Sequence, residues 1–163
     1  MKKVILAAFL TLFATYSQAE DSDWYTGAGF GITDADMLEQ SKADNDEIGF
    51  RLFAGNDRVL TILGVNFGAE LGYANLGNFG TTEAEAIDLS AIVGVGLPLG
   101  LRIHARGGLS YWNTNGTDGT DPMYAAGLTT KLGPLDWRLE WSNYHDIDNI
   151  DVDSYMLSAV HRF

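Results

Sequence analysis

Hydrophobic and polar residues alternate with a period of two along most of this chain. Counting back from the carboxy terminus, Phe163, His161, Ala159, Leu157 and Tyr155 share one face, and Arg162, Val160, Ser158 and Met156 share the other. Seven earlier stretches do the same, over residues 24–32, 47–54, 65–74, 87–96, 101–111, 124–132 and 135–142. Period-two alternation places successive side chains on opposite faces of a strand, so each stretch predicts a strand between two different surroundings. One face is apolar throughout, as in Ile48, Phe50 and Leu52 or Val65, Phe67 and Leu71. The other carries glycines interspersed with charge: Arg51, Glu70, Asp88, Arg102, Arg106, Lys131, Arg138 and Glu140.

A soluble sandwich would turn its apolar faces inwards. Here the polar face is so rich in glycine and paired charge that it reads as a crowded lumen, with the apolar face towards lipid. A slip of one residue in register would move Arg51, Glu70 and Arg138 into hydrocarbon, so the pairing is strongly specified. The connections alternate in length: short near Asn56-Asp57, Pro98-Leu99-Gly100 and Gly133-Pro134, long over about 33–46, 75–86, 113–122 and 143–154. Short turns on one side of a membrane and long loops on the other are expected of an outer-membrane barrel. Pro98, Pro122 and Pro134 all fall in these connections, where they remove no ladder hydrogen bond. Val59 to Leu63 fits badly, being long and apolar for a first turn. Aromatic residues sort to strand ends, with Trp24, Trp137 and Phe163 at one and Tyr73, Tyr111, Tyr124, Trp141 and Tyr155 towards the other, as interfacial girdles do. The fold class predicted is all-β, an eight-stranded antiparallel up-and-down transmembrane β-barrel.

The amino terminus lies outside this pattern. Lys2 and Lys3 precede an apolar run from Val4 to Ala14, and Ser17-Gln18-Ala19 offers a small-x-small cleavage site. Residues 1–19 are therefore expected to be an export signal, and 20–163 the barrel domain. The formal net charge is −12, and loss of both signal lysines makes the remainder two units more negative, which argues against a nucleic-acid partner. There is no cysteine, so no disulfide contributes to stability. After residue 20 no apolar run approaches the roughly 20 residues of a membrane helix, and a closed barrel is the other structure that satisfies its backbone in lipid.

Candidate chemistry lies in the lumen and the loops. Six basic groups (Arg51, Arg102, Arg106, Lys131, Arg138, Arg162) face five acidic ones (Glu47, Glu70, Asp88, Asp136, Glu140), near balance in a strongly acidic chain. Charges out of water require partners, and eight strands enclose only enough space for their own side chains. A closed, ion-paired interior is expected rather than a pore. The long loops hold Asp34, Asp36, Glu39, Asp44, Asp46, Glu83, Glu85, Asp118, Asp121, Asp146, Asp148, Asp151 and Asp153 against Lys42 alone. The run 145–153 lacks the glycine and terminal glutamate of an EF-hand loop, so no dedicated metal site is expected. His104 and Ser110 share a strand face six residues apart, about 20 Å at strand rise, against the roughly 3 Å a nucleophile–base pair requires. His145 and Ser154 could meet only by folding of the last loop. No enzyme, cofactor or metal is expected.

Several segments together resemble the OmpA-like family of Gram-negative outer-membrane barrels. Trp24-Tyr25-Thr26-Gly27-Ala28 resembles its first strand and Gly68-Ala69-Glu70-Leu71-Gly72-Tyr73-Ala74-Asn75-Leu76-Gly77 its third. Arg106-Gly107-Gly108 falls in the fifth, Arg138-Leu139-Glu140-Trp141 in the seventh, and Arg162-Phe163 is similar to its closing signal. The resemblance implies a salt-bridged core including Glu70, Arg106, Arg138 and Glu140, and an assembly signal on Tyr155, Leu157, Ala159, His161 and Phe163. Ile92 stands where the family's namesake has an interior lysine, which argues against a lysine-swap gate. His161 replaces the usual aromatic residue, and no peptidoglycan-anchoring domain is expected after Phe163. The expected role is structural or surface-interactive in the bacterial outer membrane. The expected partners are membrane lipid, lipopolysaccharide and the assembly machinery, and the chain is expected to be monomeric. Two other readings are a narrow solute channel and a lipid A-modifying enzyme.

Overall fold

The computed structural model describes residues 23–36, 47–79, 82–114, 116–147 and 150–163. The expected export signal and residues 37–46 of the first acidic segment lie outside them. Eight strands follow in order: β1 (Trp24–Asp36), β2 (Glu47–Ile62), β3 (Val65–Phe79), β4 (Thr82–Gly96), β5 (Leu101–Thr114), β6 (Thr117–Leu132), β7 (Leu135–Ile147) and β8 (Ile150–Arg162). Each pairs antiparallel with its neighbours, and β8 returns to β1 to close the barrel. The closing ladder runs from Tyr25 opposite Arg162 to Asp36 opposite Asp151, and the Phe163 amide donates to the Trp24 carbonyl at 3.2 Å. Closure leaves no open strand edge, the condition for spanning hydrocarbon without helices.

The strands are 13 to 16 residues long, or about 43–53 Å at about 3.3 Å per residue. A tilted membrane strand requires only about 9–11. The excess lies at the end away from the chain termini, and the polarity of the wall reverses there. In the spanning part Phe30, Leu71, Leu89, Leu109 and Leu139 face outwards and are exposed, while Arg51, Glu70, Arg106 and Arg138 are buried inside. Beyond the level of Tyr73, Tyr111, Tyr124, Trp141 and Tyr155, the lumen is filled by Leu76, Ala84, Ala86, Trp112, Met123, Tyr144, Ile147 and Val152. The outer face of that same stretch carries Asn75, Glu83, Glu85, Asn113, Asp118, His145, Asp151 and Asp153.

This reversal corrects the loop boundaries. Residues 75–79, 82–86, 113–114, 117–122, 143–147 and 150–154, expected in long loops, are continuous strand. The alternation persists through them, with apolar residues now inside because water has replaced lipid outside. Pro122 accordingly lies within β6, exposed and opposite Leu109, rather than in a connection. The first short turn is also displaced. A bulge between Asn56 and Leu60 lets β2 run on to Ile62, and the chain reverses at Leu63-Gly64. The misfit at Val59–Leu63 is thus a strand extension, and Asp57, expected in a turn, faces the lumen.

Candidate functional site

The lumen is packed in tiers from the end that holds the termini. In the lowest, Arg162 donates from Nε to Asp136 Oδ2 at 2.6 Å and from Nη1 and Nη2 to Asp57 at 3.0 and 2.8 Å. Arg102 also pairs with Asp57. Above it, Tyr25, Phe53 and Val160 form a fully buried shelf. The two rings meet edge-on at 6.2 Å, and Arg138 lies over both, 5.1 Å from Tyr25 and 4.7 Å from Phe53.

The third tier holds three arginines and three carboxylates, all buried. Glu70 lies at its centre. It accepts from Arg51 Nη1 at 2.9 Å, Arg138 Nη1 at 2.6 Å and the Tyr25 hydroxyl at 2.6 Å, with Arg106 Nη1 at 3.2 Å. Asp88 accepts from Arg51 Nη2 at 2.7 Å and Arg106 Nη1 at 3.1 Å. Glu140 takes both Nε and Nη2 of Arg106, at 3.2 and 2.8 Å, and lies 2.8 Å from His104 Nε2. Every carboxylate here meets at least two cationic or hydroxyl partners, which is the condition for holding charge out of water. Glycine makes room for the tier: a Cβ on Gly72 would lie 2.3 Å from Arg51 Nη2 and 2.6 Å from Asp88 Oδ2. The apolar group around Trp112 and Tyr144 caps the stack, with Trp112 Nε1 donating to Asp121 Oδ2 at 2.7 Å.

Of the eight residues singled out from sequence, Arg51, Glu70, Asp88, Arg106, Arg138 and Glu140 are brought together in one cluster. Arg102 stands apart in the lower tier. Lys131 does not join either: it is exposed near the β6–β7 turn and has no ion pair among the described residues, and Asp136, opposite it across the ladder, is engaged by Arg162. Sequence reasoning missed Asp57, Tyr25 and His104. The signal for Asp57 was present, since it continues the inward parity of Arg51, Phe53 and Gly55. Glu47, counted with the lumen charges, is half-buried near the outer mouth, with the Thr33 hydroxyl donating to its backbone carbonyl.

At the outer rim the girdle aromatics donate to carboxylates one step further out. Tyr73 donates to Glu85 at 3.0 Å, Tyr111 to Asp118 at 3.2 Å, and Trp141 Nε1 to Asp153 at 3.0 Å. His145 Nδ1 lies 2.7 Å from Asp151, both exposed, whereas Ser154 is buried inside. The barrel wall therefore separates His145 from Ser154. His104 is engaged by Glu140 six positions from Ser110 on the same strand. No group of three or more His, Asp or Glu residues is placed to hold a metal ion among the described residues. Tyr155, Leu157, Ala159 and His161 lie on the outer face of β8, and Phe163 follows its last residue, with the His161 and Phe163 rings 6.0 Å apart.

Residues 5–163 match the family model described as the outer membrane protein beta-barrel domain. No curated protein matches the chain. Among solved structures it is similar to Ail, the attachment invasion locus protein of Yersinia pestis, determined with the heparin analogue sucrose octasulfate, at 12% identity and a TM-score of 0.63, covering 88% of this chain and 100% of that one. It is similar to the N-terminal β-barrel domain of Pseudomonas aeruginosa OprF at 14% identity and a TM-score of 0.57, covering 86% and 99%. It is also similar to the outer membrane enzyme PagL at 12% identity and a TM-score of 0.56, covering 85% and 99%. At these identities the likeness is one of fold.

Proposed function

Because the chain belongs to the outer membrane protein β-barrel family and is a protein of the bacterial outer membrane, we propose that it acts as a non-enzymatic structural and surface-interaction barrel. The observation that carries this reading is the filled lumen, in which two ionic tiers, an aromatic shelf and an apolar cap occupy the interior in sequence. Eight strands enclose no more than their own side chains can fill, and no described tier leaves a water column. The work of the molecule then falls to its surfaces. One is the lipid-facing wall. The other is the acidic outer rim, which meets what approaches from outside the cell and reaches the anionic lipopolysaccharide through bridging divalent cations.

The rim also narrows the partner. Ail was determined with a polyanion, whereas Glu83, Glu85, Asp118, Asp151 and Asp153 make this rim negative, so it repels polyanions and favours cationic partners. The outer face of β8 serves as the assembly signal read by the insertion machinery, residues 1–19 direct export, and the barrel is monomeric. Planar-bilayer recording of the refolded chain tests the central claim. The expected trace shows no discrete openings, and reproducible unitary conductance would overturn the closed-barrel reading in favour of a solute channel.

A further inference from the structure

The inner rim of the barrel differs between its two flanks. On the β6–β1 flank the outer wall ends in Trp137, Trp24, His161 and Phe163, with Lys131 exposed beside them. On the β2–β5 flank it ends in Leu60, Ile62, Leu63, Leu97, Leu99 and Ile103, all exposed. Among the described residues near that end of the flank, the outer wall carries one aromatic, Phe67, and one charge, Arg58. Arg58, at the β2 bulge, pairs across to Asp23 ahead of β1 at 3.2 Å.

The two turns on that flank share an unusual choice of residue. Leu63-Gly64 and Leu99-Gly100 both place two consecutive residues at positive φ, 50° and 83° in the first and 66° and 73° in the second. In water this backbone selects Asn-Gly or Asp-Gly, whose first residue tolerates the left-handed region and whose side chain is solvated. Leucine does neither. Leu63 is 99% exposed and Leu99 95%, so no protein contact offsets the strain or the bare apolar surface. The third turn, Gly133-Pro134 after Lys131, follows the aqueous rule.

We propose that the Leu63 and Leu99 turns insert their side chains among the acyl chains of the inner leaflet, so that the β2–β5 flank sits deeper than the β6–β1 flank. The occupant is phospholipid, because along β3, β4 and β5 these leucines continue the outer wall of Phe67 and Leu71, Val93 and Leu89, and Ile103 and Leu109 that already faces lipid, while on β2 Arg58 is drawn sideways to Asp23. Tight turns of two residues (Leu63-Gly64) and three (Pro98-Leu99-Gly100) suit this position, since their few unpaired backbone groups stay at headgroup level while the side chains reach hydrocarbon.

The chain has no cysteine, so single labels report cleanly. Leu63→Cys, Leu99→Cys and, as the aqueous reference, Lys131→Cys are spin-labelled in the full chain refolded into phosphatidylcholine–phosphatidylglycerol vesicles, with heat-modifiable migration verifying the barrel. The expected result is that oxygen relaxes the labels at 63 and 99 while a water-soluble nickel chelate relaxes the label at 131, a several-fold difference in the collision ratio. Leu97→Cys leaves both turns intact and gives the same reading if either leucine variant does not fold. Nickel accessibility at 63 and 99 equal to that at 131 would overturn the proposal. So would protection from both reagents, the mark of a second copy or another segment covering the turns.

Discussion

Glu70 shows how much a single side chain can organise in a lumen this narrow. Two arginines and a tyrosine hydroxyl bond to it, and a third guanidinium stands within 3.2 Å. Removing its charge leaves buried guanidinium groups without sufficient partners, a loss of about 3–5 kcal/mol for a broken buried pair. Glu70→Ala is therefore expected to lower the free energy of unfolding from lipid vesicles by that order, read as a lower urea midpoint, and an unchanged midpoint would refute the central role given to this carboxylate. Lys131→Ala, at an exposed site without an ion pair among the described residues, is expected to change stability by no more than about 0.5 kcal/mol. Parity alone distinguishes inward Glu70 from outward Leu71, so six members of the cluster were legible in the sequence. Parity does not say how far along the barrel axis an inward residue sits. That is why parity groups Lys131, exposed beside the β6–β7 turn, with the rest and does not separate Arg102 from them.

Among the elements, β2 carries the sequence signal that is hardest to read. Its bulge between Asn56 and Leu60 changes the relation between parity and face within one strand. Asp57 keeps the inward parity of Arg51, Phe53 and Gly55 and meets Arg102 and Arg162, and the apolar segment after it becomes a hairpin tip. The outer halves of β3 to β8 were misread for a different reason. Charge in Glu83, Glu85, Asp118 and Asp153 looks like loop composition unless the outward surroundings are known to be water. Once they are, the same residues read as the solvated face of strands whose other face holds Ala84, Ala86, Trp112 and Val152. These extensions are held by packing as well as by ladders, which can be measured. Trp112→Ala is expected to cost about 3–5 kcal/mol, as large buried aromatics do, and to deprotect the amides of the β3–β6 extensions to hydrogen exchange while those of the spanning tier stay protected. Uniform loss of protection along the barrel would count against a separate outer cap.

For the molecule as a whole, polarity is a function of height. Above the aromatic belt the wall wears carboxylates outside and hydrocarbon inside; below it the arrangement is opposite. The eight-stranded closure and the lipid-facing wall followed from period two, but this change of sign did not, because it depends on what surrounds the chain and not on the chain alone. It has a consequence for how the barrel reaches its final place. With the acidic rim facing outwards, as proposed, Glu83, Glu85, Asp118, Asp151 and Asp153 cross the bilayer during assembly, and withdrawal would drag charge back through oil. On that reading, retreat is opposed by the carboxylates on the far shore, and the topology of the inserted protein is latched by its own surface.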